Sequence, residues 1–500
     1  MGIILLSFSA LLSYILYYIF KYYADVKRYP PGPKPYPLVG NSFQIDTKQL
    51  PTHLRELSKE FGPIFTLFLP APVVFLTDYE AVKEAFVNKG DDFAGRSPGI
   101  LDEWRVNPDG GIVYATGEPW RAGRRLSLVI LRDFGMGKNI MEEQVKQAVQ
   151  DYIKYLHGLS DKERVDMRWP LQTMTSNIIN NILFGFRYSF DDCQPLIDYT
   201  NNLYELMSKL TSVFRFIVIK FRWIKHVPYI GYYAVHQFVE ILHRIDDFIR
   251  GNIDIALEGY NKEDEPECFA QAYYQKIGTN EHITRGQLHC IASDFFMAGQ
   301  ETTTTTLRWA MLLLAKDQRI QDKLRSEISS IVGSSFPSMA DRLNMPYTSA
   351  VIHELQRWAN IIATSVMHCT MVDTEVMGHS IPAGTVVDGD IHQVLAHDPL
   401  FLNPEEFNPD RYLKEDGMTL NKELIEHTIA FSIGKRQCAG EALARVELFF
   451  GLVNTLQNFK VLPSPDGPID LTPKTHLIIL PTEQFLTLEP LITLVFMFFY

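Results

Sequence analysis

Apolar residues recur every three to four positions along most of the chain, which is the spacing of helices that are buried on one face. Residues 141–156 and 235–257 both show this pattern. A longer candidate helix runs from Thr284 to about Lys316, roughly 50 Å at 1.5 Å per residue. Thr284 and Gln287 have the residue types and the spacing of a capping box at its start. A helix of that length is expected to cross the whole body of the protein.

Strand signals are few and short. Residues 64–69 and 73–76 are mostly apolar and flank a Pro-Ala-Pro turn, which predicts an early hairpin. Residues 381–387 predict another short strand after a turn. The pattern as a whole therefore predicts a mainly α fold with minor β.

The N-terminal segment differs from the rest of the chain. Residues 2–20 carry no charge, which is close to the ~20 residues that a helix needs to cross a bilayer. Tyrosines crowd the end of this segment and basic residues follow it. A cleaved signal peptide is the alternative, but the segment lacks a preceding basic stretch and a small-residue cleavage site. We therefore predict an uncleaved transmembrane anchor at residues 2–23, with the body of the protein in the cytosol.

Three further segments follow the anchor. Residues 24–37 contain the run YPPGPKP. Proline disfavours helix in the residue before it, so the anchor helix ends here, and a Pro-rich segment is semi-rigid, which predicts a stiff hinge. Residues 38–487 show no low-complexity linker and no repeat, so we predict one large domain. Residues 488–500 form a largely apolar tail, too short to span a bilayer. Three interpretations of the tail remain open. It dips into the membrane surface, it packs on the body of the protein, or it reflects an incorrect reading of the coding sequence.

Composition excludes several classes of protein. The chain has 500 residues, of which 46% are hydrophobic and 21% charged, unlike a mainly disordered or a polytopic membrane protein. Its net charge of −12 argues against a general nucleic-acid binder, which needs a basic surface. Its five cysteines form no close pairs, so they indicate reduced thiols rather than a disulfide framework or a zinc ribbon.

One loop has the residues to hold a thiolate. The segment FSIGKRQCAG begins at Phe431; Gly434 and Gly440 bracket Cys438, and Arg436 lies two residues before the cysteine. A predicted helix follows, and its N-terminus would offer partial positive charge and free N–H groups that lower the pKa of a thiol. Gly440 would let that helix lie against a flat partner, and Phe431 would shield one side of the sulfur. A lone cysteine is more often a small buried hydrophobe, but this context favours a ligand.

The centre of the longest predicted helix is unusual. It reads AGQETTTTT over residues 298–306. Glycine inside a helix costs about 1 kcal/mol relative to alanine, and β-branched threonines are mediocre helix formers. Small residues here would let a large group approach the backbone, or would simply be a weak patch of a long helix. This segment alone leaves both interpretations open.

Taken together, these segments resemble the cytochrome P-450 family of haem-thiolate monooxygenases. The family's haem-loop pattern F-x-x-G-x-R-x-C-x-G is matched at every fixed position by residues 431–440. The patterns W-x-x-x-R, A-G-x-E-T, E-x-x-R and F-x-P-x-R are matched at residues 120–124, 298–302, 354–357 and 407–411. With the anchor and the hinge, the resemblance covers nearly the whole chain. It is strongest to animal microsomal members of the clan that oxidises drugs, steroids and fatty acids.

The resemblance implies a haem b cofactor and a role for each matched residue. Cys438 is expected to be the axial thiolate of the haem iron. Four side chains are expected to donate to the haem propionates, because buried carboxylates need charge-assisted partners. One of them, His368, follows Met367 where the related group usually has proline, so a plain buried histidine remains the alternative. The expected haem-binding residues are Trp120, Arg124, Ala298, His368, Phe431, Gly434, Arg436, Cys438 and Gly440.

The resemblance also implies two further groups. Glu301 and Thr302 are expected to form the acid–alcohol pair that handles protons during catalysis. Glu354 and Arg357 lie one helical turn apart and share a face, and with Arg411 they resemble the family's structural ion triad. The triad is expected to govern folding and haem retention rather than the chemical step.

The implied activity is NADPH-driven insertion of one oxygen atom of O2 into a lipophilic small molecule. The chain lacks a dinucleotide-binding fingerprint, so electrons are expected from a membrane-bound NADPH–cytochrome P-450 reductase, with cytochrome b5 as a candidate helper. Lys435, Arg121, Arg125 and Arg132 are expected to form a basic dock, or are a solvated face. The resemblance implies the endoplasmic reticulum membrane. The substrate pocket is expected before Trp120, around residues 295–302 and around residues 361–366.

Other functions remain open at this point. A peroxide isomerase of the same fold would need neither O2 nor a reductase, and the pair Glu301–Thr302 counts against it. A haem-thiolate sensor would bind haem without turnover, and a membrane scaffold without haem is a third alternative. Consumption of NADPH and the absorbance of the reduced, CO-bound protein distinguish these functions.

Overall fold

The structure is a computed structural model that describes residues 2–45, 49–69, 71–96, 110–134, 139–210, 226–362, 365–475 and 478–491. The chain folds into two compact units. Unit one comprises Met1–Pro98, Thr364–Asp398 and Ser432–Gln437. Unit two comprises Gly99–Ala363, Pro399–Phe431 and Cys438–Tyr500. The apolar tail predicted from the sequence lies outside the described residues after Leu491.

Unit one carries most of the β structure. Its helices are α1 (Gly2–Val26), α2 (Leu50–Phe61), α3 (Tyr79–Lys83), which continues as a π-helical turn (Glu84–Asn88), and α13 (Ile391–His397). Its strands are β1 (Ile64–Phe68), β2 (Pro72–Leu76), β3 (His368–Cys369), β4 (Thr374–Val376), β5 (His379–Ile381) and β6 (Val386–Gly389).

A mixed sheet of four strands organises unit one, in the order β1-β2-β6-β3. Strands β1 and β2 form the predicted antiparallel hairpin, with Ile64 opposite Leu76, and β6 joins β2 in parallel. Strands β4 and β5 pair separately. Apolar side chains of α2 and of the sheet form a small core: Leu54, Leu57, Phe65, Leu67, Val73 and Phe75.

Unit two is mainly helical. Its helices are α4 (Gly117–Asp133), α5 (Asn139–Gly158), α6 (Arg168–Phe184), α7 (Gln194–Leu210), α8 (Ile230–Leu257), α9 (Phe269–Lys276), α10 (Arg285–Lys316), α11 (Gln318–Ile331), α12 (Pro346–Ala359), α14 (Lys422–His427) and α15 (Glu441–Asn458). Two 3-10 turns are Asp341–Asn344 and Pro409–Tyr412. Its strands are β7 (Phe459–Pro463), β8 (Pro473–Thr475), β9 (Ile479–Pro481) and β10 (Leu486–Pro490), paired as β7 with β10 and β8 with β9.

Helix α10 is the central element of unit two, since most of its residues are buried and it packs against α6, α9, α12 and α15. Thr284 caps its start by accepting a hydrogen bond from the Gln287 backbone N–H at 3.1 Å. The Gln287 carboxamide bonds Gly111 instead of returning to Thr284, so the structure forms half of the predicted capping box.

The mainly α fold with minor β is confirmed, as are the helices expected over residues 141–156, 235–257 and 284–316. The short strand expected after a turn within residues 381–387 is confirmed as β6, which begins at Val386. Strand β5 ends at Ile381 and β6 begins at Val386, with a turn between them that contains Gly384 at φ +75°. Glycine adopts this left-handed conformation without steric cost.

Helix α1 is long and apolar enough to cross a membrane. Its segment Ile4–Val26 has a mean hydropathy of 1.6, and none of it is buried against the protein. The Pro-rich segment after it contains Pro31, whose carbonyl accepts a hydrogen bond from Thr66 in strand β1. The hinge is therefore joined to the sheet of unit one.

Candidate functional site

The residues expected to hold a thiolate lie where the chain enters helix α15. The Cys438 backbone N–H donates to the Phe431 carbonyl at 3.0 Å, which closes the loop in front of the helix. The Cys438 side chain is exposed. Desolvation by the surrounding protein nevertheless raises the pKa of its thiol.

Several groups around this sulfur favour its ionised form. The backbone N–H groups of Gly440 and Glu441 and the Arg124 guanidinium all act to lower the pKa of the Cys438 thiol, against desolvation and the Glu441 carboxylate. Gly440 precedes the first residue of α15, so the sulfur faces the N-terminus of an 18-residue helix. A Cβ at Gly440 would lie 3.9 Å from the sulfur. The donors expected from the sequence are therefore present.

The middle of α10 presents small side chains on one accessible stripe. Ala298 is exposed and Thr302 is half-buried, although their neighbours Phe296, Gln300 and Glu301 are buried. The Thr302 hydroxyl donates to the Ala298 carbonyl one turn earlier, at 2.9 Å. This stripe lets a large group approach the helix backbone, as one of the two sequence interpretations supposed.

Gly299 lies where helix α10 packs closely against helix α6. Helix α10 is continuous through Gly299. A Cβ at Gly299 would lie 3.1 Å from Cγ1 of Ile179 on α6. The glycine therefore permits close packing of α6 on α10.

Glu301 points to a different set of partners from Thr302, because consecutive helical residues lie about 100° apart around the axis. Its Oε1 accepts hydrogen bonds from the hydroxyls of Tyr204 and Thr305. Its Oε2 is buried without a hydrogen-bond partner among the described residues. Burial raises the pKa of the Glu301 carboxyl, while hydrogen bonds and the guanidinium groups of Arg308 and Arg168 oppose the shift. Sequence reasoning did not identify Tyr204, which reaches Glu301 from a separate helix, α7.

A cavity of about 330 Å³ lies beside this carboxyl. It is lined mainly by apolar surface from α7, α10 and the β9 region. Its lining residues are Tyr204, Glu205, Met207, Ser208, Glu301, Ile478 and Leu480. Of the stretches that the sequence assigned to a substrate pocket, residues 97–109, 363 and 364 lie outside the described residues.

Of the remaining expected site residues, Trp120 is buried on α4 in unit two, whereas His368, Gly434 and Arg436 belong to unit one. His368 is buried, stacks on Phe86 at 3.8 Å between ring centroids, and donates from Nδ1 to the Phe93 carbonyl at 2.7 Å. A carbonyl oxygen only accepts, so Nδ1 carries the proton and Nε2 of the neutral ring is an acceptor. Burial, with Arg96 and Arg436, holds the pKa of His368 well below its usual range. His368 therefore donates from Nε2 only as an imidazolium, and this geometry favours the plain buried histidine.

Arg436 and Gly434 fix the shape of the loop before the cysteine. Arg436 is buried and donates from Nε and Nη2 to the Ala94 carbonyl, at 2.9 and 2.7 Å. Gly434 has φ +81°, and a Cβ there would lie 1.8 Å from the Phe86 carbonyl oxygen. No other residue type fits this position without moving the backbone of the π-helical turn.

The site thus contains an accessible cysteine at a helix N-terminus and a stripe of small residues on a long buried helix, an arrangement that fits the haem-thiolate class of protein. Residues 30–488 match the family model described as Cytochrome P450. Cytochrome P450 2C44 of Mus musculus is 35% identical over 93% of this chain and 94% of its own length. Cytochrome P450 2M1 of Oncorhynchus mykiss is 36% identical over 86% of each chain. The chain belongs to the cytochrome P450 family.

Membership of this family makes the chain a monooxygenase whose cofactor is haem b. The residues of this structure fit that cofactor. The sulfur of Cys438 is accessible, two backbone N–H groups and a guanidinium favour its thiolate, and the adjacent glycine leaves room beside it. A thiolate is the axial ligand that the family uses. The sequence assignment of a haem-thiolate monooxygenase is confirmed at the level of the family.

Proposed function

We propose that this protein inserts one oxygen atom of O2 into a lipophilic fatty acid, steroid or foreign compound. The observation that carries the proposal is the accessible Cys438 sulfur at the start of α15, within a haem-loop motif matched at every fixed position. When bound, haem supplies the activation of O2, and a thiolate ligand favours cleavage of the O–O bond. The chain's own residues hold the cofactor, exclude water and move protons.

For the cofactor, we propose Cys438 as the iron ligand and Trp120, Arg124 and Arg436 as donors to the propionates. Arg124 is supported by its proximity to the cysteine, since each charge affects the pKa of the other. Arg436 is supported by burial and by the anchoring of its guanidinium on the Ala94 carbonyl. His368 can donate to a propionate from Nε2 only if the carboxylate raises the pKa of the imidazole back to the neutral range.

The roles of Ala298, Phe431, Gly434 and Gly440 are to shape the cofactor's surroundings. Ala298 offers an exposed small side chain on α10, and Gly440 leaves room beside the sulfur. Phe431 fixes the Cys438 backbone through its carbonyl, and Gly434 keeps the loop against the Phe86 carbonyl.

Protons are handled by Thr302 and Glu301 in this proposal. The Thr302 hydroxyl both donates and accepts, so it can hold a proton-relaying water at the accessible stripe of α10. Burial raises the pKa of the Glu301 carboxyl, which favours its protonated form and so favours a role as proton donor. Because the two side chains have different partners in the structure, transfer between them needs a bridging water or a turn of the carboxyl away from Tyr204.

The cavity beside Glu301 supports a lipophilic substrate. Its surface is mostly apolar, and Met207, Ile478 and Leu480 are among its lining residues. The unpartnered Oε2 of Glu301 is the polar atom best placed to orient a substrate hydroxyl or carboxyl group. A fatty acid or a similar amphipathic lipophile matches that combination.

Electrons come from a separate NADPH–cytochrome P450 reductase, with cytochrome b5 as a second donor. Arg121, Arg125 and Arg132 share one face of α4 and were expected to form a basic dock with Lys435. Arg121 pairs with Glu118 at 2.6 Å, Arg132 lies 3.9 Å from Asp133, and Lys435 pairs with Asp91. Because these exposed basic side chains are paired with carboxylates, the positive charge they offer to a reductase is weakened. Shape complementarity would then contribute more to docking than charge alone.

We place the protein in the endoplasmic reticulum membrane through α1, with the body in the cytosol. The support is the apolar span Ile4–Val26 and the basic residues that follow it.

The experiment is reconstitution with reductase, NADPH and O2, followed by product analysis with fatty acid and steroid panels. Consumption of NADPH with an oxygenated product supports the proposal. Conversion of a lipid peroxide without NADPH would establish the isomerase, and haem binding without any turnover would establish the sensor. The reduced, CO-bound spectrum tests the ligand: the red-shifted thiolate band must be present in the wild type and absent in Cys438→Ala. A band that survives the substitution overturns the assignment of Cys438.

A further inference from the structure

A hydrogen bond between two helices holds the carboxyl that is proposed to supply protons. The Tyr204 hydroxyl on α7 donates to Oε1 of Glu301 on α10. The Thr302 hydroxyl, one residue further along α10, donates instead to the Ala298 carbonyl at 2.9 Å. Glu301 and Thr302 therefore have different partners although they are consecutive in the sequence, and the Glu301 carboxyl is held toward α7.

The Tyr204 hydroxyl is suited to hold the carboxyl in this orientation. Burial, and after it the charge of Glu301, raise the pKa of the Tyr204 hydroxyl. The hydroxyl therefore keeps its proton and acts as a donor to the carboxyl. The Thr305 hydroxyl donates to the same oxygen at 2.9 Å. Oε1 of Glu301 is thus held by two hydroxyls, one from its own helix and one from α7.

The ring of Tyr204 is supported from a third helix. The Arg168 guanidinium, at the start of α6, lies 4.7 Å from the centroid of the Tyr204 ring. Its Nη1 lies 3.0 Å from Oε1 of Glu483, which holds the guanidinium in place. A guanidinium over an aromatic face is attracted to it by a cation–π interaction. The contact with Arg168 therefore keeps the Tyr204 hydroxyl directed at Glu301.

The cavity of about 330 Å³ brings this hydrogen bond within reach of a ligand. Tyr204 and Glu301 both line the cavity, whose surface is mostly apolar. The second carboxyl oxygen of Glu301, Oε2, is buried and has no hydrogen-bond partner in the part of the chain that the structure describes. A buried polar atom without a partner is costly, so it favours a ligand that brings a donor. A ligand in the cavity would therefore meet the hydroxyl and the carboxyl together.

The same hydrogen bond also affects the proton on the carboxyl. Burial raises the pKa of the Glu301 carboxyl, and the hydrogen bond from Tyr204 opposes this shift because it favours the ionised form. The guanidinium groups of Arg308 and Arg168 act in the same direction as Tyr204. Breaking the hydrogen bond would therefore favour the protonated carboxyl, which is the form that donates a proton.

We propose that Tyr204 is a positioning residue whose hydroxyl latches the Glu301 carboxyl while the cavity is empty. A lipophile that fills the cavity breaks this hydrogen bond, and the carboxyl turns toward Thr302. Proton delivery then depends on occupancy of the cavity, so the enzyme consumes little NADPH without a substrate. The inference rests on the proton-handling roles and the lipophilic substrate proposed above.

The test compares Tyr204→Phe with the wild type, as full-length holoprotein reconstituted with reductase. The variant keeps the ring that packs on Arg168 and loses only the hydroxyl. The matched control is Tyr199→Phe on the same helix, since the Tyr199 hydroxyl is buried without a hydrogen-bond partner among the described residues. The reduced, CO-bound spectrum verifies that each variant is folded. Dodecanol and progesterone are the probes, and a change in haem absorbance shows that a probe is bound.

Two measurements report the state of the latch. NADPH oxidation without a probe should rise roughly tenfold in Tyr204→Phe, the change expected for loss of a hydrogen bond to a charged group. The second measurement is the infrared carbonyl band of protonated Glu301, which is identified by its absence from Glu301→Gln. A bound probe should shift this band in the wild type, whereas in Tyr204→Phe the band should be shifted before any probe is added. Tyr199→Phe should match the wild type in both measurements.

Three results would overturn the inference. A probe that binds to the wild type without shifting the Glu301 band would show that the latch does not open. Normal NADPH oxidation and an unshifted band in Tyr204→Phe would show that the hydroxyl does not hold the carboxyl. Equal changes in Tyr199→Phe would assign the effect to a disturbed α7. If neither probe changes the haem absorbance or is oxidised, the lipophilic-substrate function itself fails, which is distinct from failure of the latch.

Discussion

Arg357 holds the carboxylate of Glu354 one helical turn before it, with Nε 2.7 Å from Oε2 and Nη2 2.9 Å from Oε1. Both side chains are buried. Arg411 adds a third contact, at 3.1 Å from its Nε to Glu354 Oε1, and the Asn408 backbone N–H donates to the same oxygen. The triad expected from the sequence is therefore a closed network. A buried carboxylate with two guanidinium partners is costly to disrupt, since any partner left alone is an uncompensated buried charge.

The first prediction follows from that network. Glu354→Ala should lower the free energy of unfolding by about 3–5 kcal/mol, because it leaves the guanidinium of Arg357 buried without its partner. We expect haem to be lost before the turnover of the remaining holoprotein changes. Urea unfolding and the haem content per chain measure the two effects.

A control for this prediction is Glu405→Ala, which removes a carboxyl group from the surface segment near the same network. A Glu354→Ala protein that keeps normal haem content and stability, but loses turnover, would mean that Glu354 acts in the chemistry rather than in the fold.

The second prediction concerns Gly434. Gly434→Ala places a methyl group where the Phe86 carbonyl oxygen lies 1.8 Å away, in a backbone conformation that favours glycine. We expect poor haem incorporation and a weaker CO band. Gly417→Ala is the matched control: it shares a positive φ of 66° but has open space around its Cα. Its backbone cost of about 1 kcal/mol should leave the CO band intact. Equal losses in both variants would attribute the effect to φ alone.

The third prediction tests proton handling at α10. Thr302→Ala should keep the CO spectrum and substrate binding, yet lower the product formed per NADPH and raise the release of hydrogen peroxide, because the hydroxyl that positions the relay is gone. Proton transfer by a positioned side chain contributes about 10²–10⁴-fold in rate, so a clear fall in coupling is expected. Thr302→Ser, which keeps a hydroxyl, should restore most of the coupling.

Thr303, the next residue in the chain, provides the contrast for this prediction. Its side chain is buried and hydrogen-bonds to Glu447. If Thr303→Ala destroyed coupling while Thr302→Ala did not, the assignment of Thr302 would be wrong.

The fourth prediction is a pH dependence. Glu447 is buried on α15, and burial raises the pKa of its carboxyl to about 8 from 4.5. A raised carboxyl pKa means that the folded state keeps the proton while the unfolded state releases it. The free energy of unfolding is therefore unaffected by Glu447 below pH 4.5. It decreases as the pH rises from 4.5 to about 8, because only the unfolded state releases this proton.

Glu447→Gln cannot ionise, so its stability relative to the wild type should rise by about 1–3 kcal/mol between pH 5 and pH 8. Chemical unfolding across this pH range measures the difference. A constant difference between the two proteins would show that Glu447 keeps an ordinary pKa.

The fifth prediction concerns the anchor. Removing residues 1–28 should release much of the protein from salt-washed membranes while haem binding persists. Some attachment should survive, because exposed apolar side chains of the body such as Leu38 and Phe43 remain. Loss of haem in the truncated protein would show that α1 belongs to the catalytic fold, and the CO spectrum of the soluble fraction distinguishes the two.

The sequence by itself determined the elements and the chemistry that depend on short-range spacing. The helices over residues 141–156, 235–257 and 284–316, and the thiolate loop before α15, all follow from residues within one or two turns of each other. Periodicity and motif spacing report such local relationships directly, because the backbone geometry of a helix or a tight loop converts spacing into position.

Only the tertiary structure decided the partners that come from distant parts of the chain. Glu301 bonds to Tyr204 on another helix, and His368 uses its Nδ1 proton on the Phe93 carbonyl. Position 434 needs glycine because the Phe86 carbonyl lies against it. Position 299 needs a small residue because the Ile179 side chain packs there. In each case the determining contact joins residues many turns apart along the chain. Burial and packing set such contacts after the elements assemble, so no local pattern in the sequence records them.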